Sequence, residues 1–189
     1  MKNKFTIAIL AGLVAFIWSW ISWMALPFHN RMLHKFKNSD AVAAALKMNA
    51  PENGIYLLPW CNTLDQKLSK EEQKAAYAEH DKKLKEGPYA YVLVRPNGME
   101  FKMGQSMLIG LLKDILTAFL LVWLISKTTG LSFIQKVAFV KIAVVSGAIV
   151  SLLPNWIWWG FPTDLTVLAL IDVAIGWGLA GCVIAKLTK

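Results

Sequence analysis

Lys113, Asp114 and Asp172 are the residues best placed to do chemistry, because each interrupts a long apolar stretch. A charged side chain in hydrocarbon costs a few kcal/mol, about 2.5–3.5 on insertion scales, so it must be paired, hydrated or neutral. A lysine and an aspartate on facing helices would form an ion pair that fixes packing. Without a neutralising partner, the same groups would make a proton or substrate site. Two carboxylates sharing a proton would make an aspartic protease dyad. The Asn–Asp motifs of the four-helix lipoprotein signal peptidases are missing, however, and Lys113 would hold Asp114 ionised.

Spacing chooses among these arrangements. At 1.5 Å of helix rise per residue, counting from Gly104 and from Asp164 places Lys113 and Asp172 at similar depth. Ala169, Gly176 and Ala180 share the helical face of Asp172, while Ser106, Gly110 and Thr117 share that of Lys113. Small residues let helices approach closely. Both faces are therefore expected to point into a bundle, with Lys113 paired to Asp172 and Asp114 on the flank. A partner at hand favours a structural role over a transport role. Lys141, one turn into its own stretch, is expected to snorkel to the interface.

His29 and His34 follow the first apolar stretch and His80 lies in a charged segment. No histidine falls within an apolar stretch, so haem held by two histidines has no support. No metal and no other cofactor is expected. Cys61 and Cys182 lie in different kinds of segment and no C-x-x-C occurs, so neither an intrachain disulfide nor paired-thiol redox chemistry is expected. With no catalytic constellation, the sequence favours a non-enzymatic protein.

The elements that must position these residues are membrane spans. Of 189 residues, 56% are apolar and 17% charged, against about 45–50% and about 25% in soluble domains. The apolar residues are blocked. Spanning hydrocarbon takes about 20 of them, and 5–26, 105–126, 137–155 and 165–186 qualify. The expected fold is an all-α membrane protein with four transmembrane helices and a small α+β extracytoplasmic domain, 28–103, between helices 1 and 2. The first stretch is read as an uncleaved anchor, since no small-x-small cleavage site follows it. Within 28–103, Ser39-Asp40 opens a short helix, Ser69-Lys-Glu-Glu72 is a capping box, and the stretches 54–60 and 89–95 read as strands.

Short loops with lysine or arginine stay in the cytoplasm. Lys2 and Lys4, the two lysines of 127–136, and Lys186 and Lys189 all fall on one side of four spans, whereas 154–164 has no basic residue. Both termini are therefore expected to be cytoplasmic, in the inner membrane of a cell. The net charge of +8 is explained by anionic lipid at helix ends, not by nucleic acid. Trp20, Trp23, Trp156, Trp158 and Trp159 collect at the opposite interface as an aromatic belt, which could also line a ligand cleft.

Trp20 through Pro27, Gly54 through Pro59, Gly87-Pro88, Trp156 through Pro162 and Gly176-Trp177 give a layout that resembles small four-helix inner-membrane proteins of bacteria. That resemblance implies no activity. The strand-bearing first loop is also similar to claudin-like proteins, but a second loop cysteine is missing. The expected function is an accessory or subunit that binds a protein or lipid partner through the outer domain and Trp-rich face. The expected contacts are the bilayer, a protein partner or a second copy. The alternatives are a small proton-coupled carrier using Lys113, Asp114 and Asp172, and an interfacial enzyme acting on lipid or lipoprotein.

Overall fold

The structure is a computed structural model that describes residues 3–61 and 68–188. Lys2 and Lys189, used above to orient the chain, lie outside the described residues. The chain divides into two units, Met1–His34 with Phe101–Lys189, and Lys35–Glu100.

The first unit contains four helices long and apolar enough to cross a membrane: α1 (Lys4–Met24), α4 (Met103–Ile125), α5 (Phe133–Trp159) and α6 (Thr163–Leu187). α1 starts on Asn3, whose side chain accepts from the Phe5 amide. α5 starts on a capping box, Ser132 with Gln135, and ends at Gly160, which takes the left-handed conformation at φ 63°. A residue with a Cβ would be strained there. α5 also continues through Pro154, beyond the end expected at 155. The α5–α6 connection is consequently only residues 160–162.

Chain ends fix the relative directions. Lys4 Nζ donates to Ser126 Oγ at 2.9 Å, and Lys136 Nζ to the Thr188 carbonyl at 2.7 Å. The lysine-bearing ends of α1 and α4, and of α5 and α6, thus meet in pairs. Packing runs in the order α5, α6, α1, α4, and the row does not close, because α4 and α5 make little contact. Its core is formed by Ile7, Ala8, Ala11 and Ala15 of α1, Ala118, Leu121, Val122 and Ile125 of α4, Val140 of α5, and Trp177, Ala180 and Ile184 of α6.

The second unit holds α2 (Ser39–Asn49), β1 (Gly54–Leu58), α3 (Lys70–Glu86) and β2 (Ala90–Val94). The cap of α2 is Asn38, which accepts from the Ala41 amide. It is not Ser39, which forms the first residue of the helix. β1 and β2 pair antiparallel, with Ile55 opposite Leu93. Neither α2 nor α3 contains a buried residue. A two-stranded sheet is marginal in water on its own, and here Ile55 and Leu93 both face outward.

Candidate functional site: a buried polar centre and an open cleft

The first unit carries two polar features in apolar surroundings. One is mostly buried and centred on Asp172, nine residues into α6, whose side chain is 13% exposed. Gly176, one turn further, has no Cβ, and one placed there would lie 2.7 Å from Trp18 Cδ1. That absence lets the Trp18 ring lie against α6 and donate its Nε1–H to Asp172 Oδ1 at 2.8 Å. One turn along α1, Ser22 is fully buried and its hydroxyl donates to the same oxygen at 2.6 Å. A distance of 2.5–2.7 Å is typical of a hydroxyl donating to a carboxylate.

Ser22 Oγ is also 3.0 Å from Nε2 of His29, which lies just past α1 and is buried. The same nitrogen is 3.8 Å from Asp172 Oδ2. The imidazole is stacked on Trp23, with centroids 4.0 Å apart and planes 9° apart, and Phe28 packs obliquely on it at 5.2 Å. His29 Nδ1 is buried and has no hydrogen-bond partner among the described residues.

The second feature is open. Lys113, near the middle of α4, pairs with its neighbour Asp114 at 2.8 Å; the lysine side chain is 66% exposed and the aspartate 4%. The expected Lys113–Asp172 pair does not form. Asp172 is taken up by α1, and Lys113 points into the gap left between α4 and α5. This gap is a cleft of about 440 Å³. Apart from Lys113, Asp114 and Thr117, it is lined by apolar side chains, including Leu120, Val144 and Trp177. Gly147, on the α5 wall, has nothing near its missing side chain.

These contacts decide what chemistry is available. A serine–histidine–aspartate hydrolase needs the two imidazole nitrogens on different partners, with the serine proton passing to the histidine. Here one nitrogen faces both Ser22 and Asp172, and the serine proton lies on the short bond to Asp172. Ser22 is also sealed from any acyl substrate. Asp114 and Asp172 keep separate partners and share no proton, so the arrangement is not that of an aspartic dyad. Among the described residues no group of three or more His, Cys, Asp or Glu could hold a metal ion.

The aromatic residues expected at one interface have separate roles. Trp23 holds His29, and Trp156 donates to Thr163 Oγ1 at 3.0 Å, tying the end of α5 to the start of α6. Trp20, Trp158 and Trp159 are exposed on the bundle surface. Trp18, Ser22 and His29 were not picked out by sequence reasoning as partners of Asp172. The signal was present: 18 and 22 are one turn apart and form a single stripe on α1.

No protein-family model, no curated protein and no solved structure matches the chain.

Proposed function

We propose that this protein is a non-enzymatic, multi-pass component of a bacterial inner membrane that docks a transmembrane helix of another subunit in the cleft between α4 and α5. The observation that carries this reading is Lys113. A lysine near the midpoint of a spanning helix, two-thirds exposed beside an apolar groove even while paired with Asp114, is costly in lipid. A polar side chain on an incoming helix would relieve that cost. α5 supports the same reading, since only 11% of its apolar window is buried inside the bundle.

In this reading both termini are cytoplasmic, which suits the gathering of Lys4, Lys127, Lys136 and Lys186 at one end of the helices. Residues 35–100 then lie outside the cytoplasm, and the outward Ile55–Leu93 pair offers an apolar contact for the same or another partner. A reporter fused after Lys189 should be active on the cytoplasmic side, and a protease added to spheroplasts should cut near Lys82.

Docking is tested by a photoreactive amino acid at Gly147 or Leu120 in intact membranes. Adducts to another membrane protein support the reading, as do adducts to a second copy, which would identify the partner as the chain itself. Adducts to lipid alone overturn it.

A further inference from the structure

Asp172 does not line the α4–α5 cleft, and its hydrogen bonds fix where the protons around it sit. Ser22 has one hydroxyl proton. The 2.6 Å bond assigns it to Asp172 Oδ1, so Ser22 Oγ can only accept from His29. Nε2 must then carry a hydrogen and donate across the 3.0 Å contact. That leaves Nδ1 as a bare acceptor when the ring is neutral. It is buried and meets no donor among the described residues. A centre that served only to lock α1 against α6 would be expected to satisfy both ring nitrogens, since buried polar atoms almost always find partners.

We propose that Asp172, Ser22 and His29 form a proton-binding site, in which His29 Nδ1 takes up the proton and Ser22 relays the Nε2 proton to Asp172. The step balances. A proton arriving at Nδ1 makes the ring transiently cationic. The Nε2 proton moves to Ser22 Oγ as the serine proton moves to Asp172 Oδ1. The end state is a neutral imidazole in the other tautomer, an intact serine hydroxyl now donating to Nε2, and a neutral carboxylic acid. One proton has been bound and one negative charge removed.

The surroundings suit this exchange. α1 contributes Trp18, Ser22 and Trp23, α6 contributes Asp172, and the segment after α1 contributes Phe28 and His29. Asp172 and His29 are the titratable groups in contact there among the described residues, and Lys113 is engaged with Asp114. The stacked Trp23 and oblique Phe28 hold the ring plane while its protons exchange. Uptake also has a mechanical effect. Hydrogen bonds to a charged acceptor are stronger than those to a neutral one. Neutralising Asp172 therefore weakens the bond it accepts from Trp18, and the bond with Ser22 reverses, the acid now donating to Ser22 Oγ.

The test uses the full chain in lipid nanodiscs across about pH 5–8, where histidine chemistry operates. Infrared difference spectra should show a protonated-carboxyl band that grows on acidification and is missing in Asp172→Asn. After a pH jump, that band should rise about a hundredfold more slowly in Ser22→Ala, as expected for loss of a positioned proton donor, and Ser22→Thr should restore the rate. Nitrogen NMR of wild-type protein with labelled histidine, with His29 assigned through His29→Gln, should show its proton moving from Nε2 to Nδ1 in the same pH range. The NMR reading does not require any variant to fold for its wild-type signal to change. A carboxyl band unaffected by Asp172→Asn, an unchanged rate in Ser22→Ala, or a tautomer fixed across the range would each overturn the proposal.

Discussion

Gly176 and Trp18 meet so closely that only hydrogen fits on the glycine: a Cβ would lie 2.7 Å from the indole Cδ1. The same approach puts the indole N–H on Asp172. Gly176→Ala should therefore push the ring off its hydrogen bond as well as crowd the helices, at a cost of about 1–3 kcal/mol for overpacking. Gly12→Ala should cost more, because its Cβ would meet the Ile115 backbone at 2.7 Å and backbone yields less than a side chain. Gly104→Ala, with nothing within 4 Å, is the neutral reference. Thermal unfolding in a single detergent should give the order Gly12→Ala, then Gly176→Ala, then Gly104→Ala near wild type.

The Lys113–Asp114 pair is lopsided, with the carboxylate buried and the ammonium open. Lys113→Met should be the harsher single change, because it leaves a buried carboxylate without its cation. Asp114→Asn should be milder, since the amide oxygen can still accept from the ammonium. The double variant should recover part of the loss of Lys113→Met. A coupling of about 0.5–3 kcal/mol is expected for residues in direct contact, toward the low end for a pair this open. Equilibrium unfolding of the four proteins checks the cycle. Equal losses in the two single variants would contradict the asymmetry.

α3 should respond to acid at its first turn. The Glu72 carboxylate accepts from the Ser69 hydroxyl and amide at 2.7 and 2.8 Å, and these bonds hold its pKa below the ordinary glutamate value. Glu79 is lowered as well, by its hydrogen bond and charge pairing with Lys83. A depressed carboxylate stabilises the folded form above its unfolded pKa, about 4.3. That contribution disappears as pH falls through the lower folded value. Amide protection at Glu72 and Gln73 should accordingly be complete near neutrality and fall in acid. Glu72→Gln, which keeps a weaker acceptor, should flatten this dependence.

Sequence spacing made the four apolar helices, the capping box at Ser69 and the small-residue face of Asp172 legible, because helical period and hydropathy are local properties. The partner of Asp172 was not local. Depth alone allowed Lys113, but facing depends on which way each side chain turns, and Asp172 turns to α1 while Lys113 turns to the cleft between α4 and α5. Ser22 was overlooked because serine is common in apolar helices, and His29 because it lies just beyond a helix end, where a surface position is the usual expectation. The third apolar stretch is expected to end at 155, yet the helix runs on through Pro154 to Trp159.

The unclosed row of helices makes the first unit two antiparallel pairs, α1 with α4 and α5 with α6, joined where α1 meets α6. α5 and α6 are contiguous in sequence and linked by three residues, so they form one helical hairpin. Their attachment to the rest runs along α1, where Ile7, Ala8, Ala11 and Ala15 share a core with Val140, Trp177, Ala180 and Ile184 and where Trp18 and Ser22 hold one carboxylate. A chain cut near Gly130 would be expected to reassemble from its two pieces along that shared core, and the state of Asp172 would tune how firmly the halves adhere.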